Sequence, residues 1–365
     1  MPNVIDPWGG WRGYLHAAAE VAGRVGTSRH WVLLRMLVTK ALYGLSAGEY
    51  GLFGLHRTPF RRLRNYRTKK QTTASIARVN PLHCRPLVED KLLFHRECQA
   101  AGLPTPALLA ILSSRAPRDV GTFPLLTDFG EVVAHFRAHP EIRLILKPRN
   151  DALGTGVRFV ALRSGQPFDI DDRPLDTVAF ASALRVDMLR DDYLVQAFVP
   201  PHPQVARLGS GRALATVRIV SLLHEGQCRL HYALLRIPAA GNVYDNFSGG
   251  ASGNLIAAVD ISTGRIGPAW GRRDPGLHRV LERFERNPET GFPICGEMMP
   301  DWAQTCALVR RGAMAFAQLP LLGWDVAPSA DGVVIIEANS NPDIIGAQIC
   351  CGQGARALLE PLWRA

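Results

Sequence analysis

The chain has 365 residues, 47% of them hydrophobic and 20% charged, with a formal net charge of +10. That balance excludes extended disorder, and the length favours two or three lobes over one. The longest apolar stretch, residues 31–45, is too short for a membrane span and contains Arg35 and Lys40, so it predicts an amphipathic helix.

No apolar core follows a basic segment at the start, so a secretory leader is not expected. Seven cysteines without a C-x-x-C pair read as reduced thiols in a cytoplasmic protein and imply no zinc site. Residues 1–82 form a helical, basic N-terminal region, with an apolar 3.6-residue pattern through 16–46. Between His56 and Lys70 lie Arg57, Arg61, Arg62, Arg64, Arg67, Lys69 and Lys70 without an acidic residue. Such a segment is either a solvated face or a contact for an anionic partner. No nucleic-acid signature accompanies it, so nucleic acid is not expected. Peripheral contact with an anionic membrane through residues 57–70 stays open.

From Pro86 the texture changes. Residues 87–112 predict a helix, a stop at Gly102 and a strand, and residues 129–140 a second helix ended by proline. Strands are expected at 143–147, 157–162, 193–199, 213–223, 228–238 and 254–260, then an amphipathic helix over 302–323 and a hairpin over 323–346. Successive strands without intervening helices predict an α+β fold on antiparallel sheets.

The hairpin carries Asp325, Glu337 and Asn339 among valines and isoleucines. Glu337 and Asn339, two apart on a strand, share a face. A three-residue turn at 330–332 would set Asp325 opposite Glu337, and two carboxylates so close call for a cation between them; hard oxygens suit Mg²⁺. Solvated acids are the plain alternative. The stretch KPRNDALGTGV ends a strand at Lys147 and opens a loop holding Gly154 and Gly156, either a phosphate cover or an ordinary hairpin. Lys91 opens a helix, where free N–H groups favour anions. Residues 193–203 read as an edge strand stopped by two prolines, with backbone free to meet a base. Arg218 in the apolar ATVRIV needs an anionic partner, a phosphate or a carboxylate. Asn246, Gly249 and Gly250 lie in a glycine-rich loop that could cover a ligand.

In order, DKLLF, KPRNDALGTGV, QAFVP, TVRIV and GWDVAPSADGVVIIEANSNP resemble the landmarks of the ATP-grasp superfamily, and NFSGG with ETGFPICGEMMPDW resembles its sugar-transfer-associated subgroup. The resemblance covers residues 86–350. It implies two α+β lobes clamping ATP, 83–197 and 198–365, after the helical region. Lys91 and Lys147, with the loop of Gly154 and Gly156, would meet the phosphates, and Gln196 with the Phe198 and Val199 backbone the adenine. Asp325, Glu337 and Asn339 would hold Mg²⁺, Arg218 and Lys147 would act in catalysis, and the Asn246 loop would be a lid. The implied activity is a carboxylate–amine ligase that forms an amide through an acyl phosphate, in polysaccharide or natural-product assembly. A phosphotransferase on the same lobes and a membrane-apposed nucleotide-binding protein are the alternatives. Gln196 stands where the family often has a glutamate, and helices replace the Rossmann-like domain many members carry first.

Overall fold

A computed structural model of the chain describes residues 10–115, 121–150, 156–274, 280–352 and 354–356. The N-terminal region is helical: α1 (Gly10–Val25), α2 (Arg29–Tyr43), α3 (Ala47–Leu52), α4 (Phe60–Leu63) and α5 (Lys69–Ile76). Local signals set its ends. Ser46 and Glu49 form a capping box on α3, Thr68 and Gln71 another on α5, and Gly44 closes α2 in the left-handed conformation.

Two short helices follow, α6 (Pro86–Glu89) and α7 (Lys91–Ala100), broken at Asp90 where the sequence reads as one. The first sheet comprises β1 (Leu108–Leu112), β2 (Leu125–Leu126), β3 (Glu141–Pro148), β4 (Arg158–Arg163), β5 (Gln166–Phe168) and β6 (Tyr193–Ala197), in the order β2-β1-β6-β3-β4-β5. Helices α8 (Phe129–His135) and α9 (Thr177–Met188) cover one face, on a core that includes Leu144, Leu146, Val195 and Phe129. β1 and β2 run parallel; the other pairings are antiparallel. β6 lies inside this sheet, so the edge-strand reading of 193–199 is corrected: strand order depends on which distant segments pair, and Pro200 and Pro201 mark an exit rather than an edge.

After α10 (Pro203–Ala206) comes an antiparallel sheet of seven strands: β7 (Thr216–His224), β8 (Gln227–Ile237), β9 (Leu255–Val259), β10 (Ile266–Gly271), β11 (Glu282–Phe284), β12 (Leu321–Ser329) and β13 (Gly332–Asn339), ordered β11-β10-β9-β8-β7-β12-β13. Helix α11 (Trp302–Ala315) packs on one face, where Gly312 lets it lie against the indole of Trp324; a Cβ at 312 would stand 2.8 Å from that ring. This helix stops well short of the expected 323, because Leu321 and Leu322 already belong to β12. Helix α12 (Ile345–Cys350) ends the described fold.

The opposite face of the second sheet is closed by the N-terminal helices. Val220, Leu222, Tyr232, Leu234, Ile256 and Leu321 share one core with Val21, Met36, Leu45, Tyr50 and Leu63. Asn80, wholly buried, stitches the two together: its Nδ2 donates to the carbonyls of Leu321 (2.6 Å) and Ser340 (2.5 Å), and its Oδ1 accepts from Leu321 N–H (3.1 Å).

Candidate active site between the two sheets

Both sheets place charged side chains on faces that are otherwise apolar. On the first, Leu144 and Leu146 point into the helix-covered core, so by alternation Ile145 and Lys147 point the other way. Opposite Ile145 in register stand Gln196 and Phe159, and opposite Lys147 stands Leu194. Ile145, Phe159 and Phe198 belong to a small apolar cluster that takes Ala213 and Val243 from beyond the first sheet. Gln196 is 4% exposed. The Phe198 N–H donates to the Arg143 carbonyl (2.9 Å), which spends one of the backbone groups expected to face a base. Beyond it the chain zips onto the β12–β13 turn, with Ala330 N–H donating to Pro200 O and His202 N–H to Pro328 O (both 3.1 Å). The segment after Val199 is therefore held to the second sheet.

Across the second sheet, register sets Arg218 on β7, Asp325 on β12 and Glu337 on β13 in one row. The Asp325–Glu337 pairing arises differently from the expectation. The turn has two residues, Ala330 and Asp331, and a bulge between Asp325 and Val326 restores the register expected of a three-residue turn. Gly323 matters beside them: a Cβ there would meet Pro342 at 2.7 Å and the Arg218 stem at 3.1 Å.

Asp325 is fully buried. Its oxygens accept from Arg218 Nε, from Arg218 Nη2 (2.6 Å) and from Arg236 Nη2 (2.7 Å). Burial alone would raise its pKa, but Arg218 and Arg236 outweigh that and hold the carboxyl well below the usual range. Arg236 also reaches Asp245 (3.3 Å) and donates to Thr216 Oγ1 (2.7 Å), while Asp245 accepts from Thr216 N–H (2.9 Å). Burial, against Arg236, pushes the Asp245 carboxyl up. Arg218 Nη2 also stands 4.0 Å from Glu337 Oε1, so a guanidinium lies between the two carboxylates. Glu337 keeps a third of its side-chain surface in solvent and accepts from Asn339 Nδ2 (3.3 Å).

Lys147 is 7% exposed, and its pKa is lowered to about 8 by burial and by Lys91, with Glu337 opposing. The first sheet's lysine and the second sheet's glutamate thus lie within electrostatic reach. Lys91 is half-buried, and its helix start is closed to anions: the Leu92 and Leu93 N–H groups donate to Asp90 Oδ1 (2.9 and 3.2 Å) and the Lys91 N–H to Arg149 O (3.0 Å). Asp90 is itself clamped by Arg149 (2.6 Å). The backbone N–H groups at the start of α7 are therefore already spent.

Gly156 has φ +77°, and a Cβ there would stand 2.7 Å from the Tyr193 hydroxyl, so that loop end needs glycine. Gly154 lies outside the described residues. The Asn246 carbonyl accepts from Ser252 Oγ (2.8 Å) and Asn254 Nδ2 (2.9 Å), and Phe247 is buried in the core shared with the N-terminal helices. The loop expected as a lid is thus pinned beside the site.

A family model described as sugar-transfer associated ATP-grasp matches residues 70–362. The chain belongs to that family. This ATP-grasp protein matches no curated protein. Among solved structures it is similar to D-alanyl-alanine synthetase A from Vibrio cholerae, at 11% identity and a TM-score of 0.42, over 76% of this chain and 64% of that one. It is also similar to D-alanine-D-alanine ligase from Helicobacter pylori (11%, 0.41, 76% and 61%) and to L-amino acid ligase from Bacillus licheniformis (12%, 0.35, 72% and 43%). The ATP-grasp chain spans less than two thirds of the length of each.

Two site residues escape the sequence reading. Arg236 sits in ALLRIP, an apolar strand, which is the same signal that singles out Arg218. Asp245 lies inside the glycine-rich loop 244–254, next to Asn246, and anchors that loop through Arg236 and Thr216. Among the described residues no group of three or more His, Cys, Asp and Glu gathers as a metal cluster; the set around Glu337 is two carboxylates and an amide.

Proposed function

We propose that this ATP-grasp protein is an ATP- and Mg²⁺-dependent carboxylate–amine ligase working through an acyl phosphate, in polysaccharide or natural-product assembly. The observation that carries the reading is the Arg218–Asp325–Glu337 row on the second sheet, with the buried Lys147 of the first sheet within electrostatic reach of Glu337.

The donor chemistry suits a hard cation: Glu337 is a part-exposed carboxylate with the Asn339 amide beside it, and Asp325 pairs with Glu337 across the hairpin. Because two arginines already neutralise Asp325, Glu337 supplies most of the attraction. Bound there, Mg²⁺ would offset phosphate charge and orient the transferred group. Lys91 and Lys147 would grip the phosphates, with the Gly154 and Gly156 loop over them. Gln196 and the Phe198 and Val199 backbone would face the base, on the apolar floor of Ile145 and Phe159.

A substrate carboxylate oxygen attacks the γ-phosphorus and ADP leaves. The amine nitrogen then attacks the acyl carbon, phosphate departs, and the nitrogen loses a proton. Little covalent help is needed; charge placement and alignment do most of the work. Arg218, fixed by Asp325 before any substrate arrives, would meet charge on the acyl phosphate without reorganisation. Asn246, on its pinned loop, would close the site's flank.

The test is ADP release from ATP and Mg²⁺ across carboxylates paired with pooled amines, with Glu337→Gln as control. ADP and free phosphate that appear only when acid and amine are both present support the ligase. A stable phosphorylated product would make it a phosphotransferase, and ATP binding without turnover a binding protein. For the basic segment 57–70 we propose peripheral contact with an anionic membrane, since Arg57, Arg61, Arg62 and Arg64 are exposed.

A further inference from the structure

Helix α2 is amphipathic in an unexpected sense. Val32, Met36 and Thr39 face the core, leaving one flank and the back of the helix to solvent. That outer face should be polar in a water-facing helix. Instead it carries Trp31 (52% exposed), Leu34 (52%) and Leu42 (61%), with half-buried Val38 completing a stripe at helical spacing. Phe60 on α4, 42% exposed, lies beside it under the Arg35 guanidinium, 5.4 Å away.

Arginines border both ends of the stripe. Arg57 joins Trp31 in lining a cavity of about 400 Å³. Arg64 joins Leu42 in lining one of about 1040 Å³, together with Arg67, Arg78 and Arg356. No carboxylate lines either cavity among the described residues, and Arg57, Arg61, Arg62, Arg64, Arg78 and Arg356 form no ion pair with any described residue. Buried Gln348 holds this arrangement, accepting from Arg67 N–H (2.9 Å) and Ala355 N–H (3.0 Å) and donating to Arg67 O (2.9 Å).

We infer that α2 lies in the surface of an anionic phospholipid bilayer, its Trp31–Leu34–Leu42 stripe inserted among the acyl chains and the flanking arginines on the headgroup phosphates. An apolar helix face rimmed by arginine is the pattern such a surface selects: apolar burial supplies depth, and charge supplies preference for anionic lipid. A tryptophan at the rim suits the interface. Among the described residues no helix is long and apolar enough to cross a membrane. The inference rests on the contact proposed for residues 57–70 and adds that the anchor is apolar.

The full chain is sedimented with vesicles of phosphatidylcholine alone or mixed with phosphatidylglycerol, at low and high salt. Wild type should prefer the anionic vesicles, keep part of its binding at high salt, and show Trp31 fluorescence quenched by brominated acyl chains, a signal absent in Trp31→Phe. The double variant Leu34→Ser/Leu42→Ser should bind about tenfold more weakly or worse, with its circular dichroism unchanged. Arg61→Gln/Arg62→Gln should lose only the preference for anionic lipid. If binding disappears entirely at high salt and the serine variant binds like wild type, the apolar anchor is wrong while the basic contact stands. No binding to any vesicle removes both. Release of bound protein by glycerol phosphate at constant ionic strength would make the arginines a site for soluble phosphate and overturn the inference.

Discussion

At the scale of single residues, the two acids of the row should behave as opposites. Asp325→Asn leaves Arg218 and Arg236 partly buried without their shared counter-charge, so it should cost about 3–5 kcal/mol of stability, read as a lower denaturant midpoint. Glu337→Gln, at a third-exposed position, should keep the wild-type midpoint and lose Mg²⁺-dependent turnover by at least about a hundredfold. Equal stability losses would mean that Glu337 is merely a structural partner of Arg218. Lys147 gives a pH prediction with a definite sign. Its folded pKa of about 8 lies below the ordinary 10.5, so the ligand-free protein carries the cost of a buried ammonium below pH 8. Stability should rise with pH between 8 and 10.5, where the unfolded chain still holds the proton. A triphosphate would reverse the preference. Binding near pH 9 should therefore take up a proton, and affinity for ATP should fall as pH climbs past 8. Calorimetry in buffers of different ionisation enthalpy measures the uptake, and Lys147→Met should abolish it. Uptake that survives in the variant would assign the proton elsewhere.

Among the elements, the structure shows what a sequence can and cannot specify. The long strands are legible because their runs of leucine, isoleucine and aromatic residues lie between turn signals: the expected 143–147 and 228–238 compare with Glu141–Pro148 and Gln227–Ile237. Helix α9 and the strands β10 and β11 were not. Residues 266–271, IGPAWG, hold two glycines and a proline, and pair because β9 and β11 flank them rather than through their own propensity. The Asp325–Glu337 pairing was reached by the wrong turn length, since a bulge leaves no signature in composition. Asn80 had no signal at all: an asparagine after RV is indistinguishable from a surface cap until its three partners are seen, two on Leu321 and one on Ser340. Those bonds join the N-terminal region to the start of β12 and to the residue after Asn339. Asn80→Ala should cost about 1–3 kcal/mol, because buried backbone groups lose their partners. It should also lower turnover more than a remote loss of stability would, since the end of β13 carries Glu337 and Asn339. A stability change without any kinetic change would show that the stitch does not position the site.

For the whole molecule, the sequence suggests a helical region set apart from the two lobes, and the structure gives that region a share of the second lobe's core. The family match starts at residue 70, yet Val220, Leu222, Tyr232, Leu234 and Leu321 on the second sheet are covered by residues well before it, among them Val21, Met36, Leu45 and Tyr50. Both faces of that sheet are apolar, α11 burying one and the N-terminal helices the other, so neither can face water unaided. The same helices carry the arginine-rimmed stripe outward, which makes them a slab with one side in the second lobe's core and the other exposed. A chain lacking residues 1–82 should therefore aggregate on expression, where an appended targeting module could be removed with the enzyme intact. Light scattering and size exclusion of the truncated chain against the full one decide this. A soluble, ATP-binding truncation would mean that the second sheet tolerates an open apolar face, and that the Val21–Leu63 helices are cargo rather than wall. If instead the truncation fails while Leu34→Ser/Leu42→Ser stays soluble, the two sides of the slab are separable, and membrane contact sits on a scaffold that the active site already requires for folding.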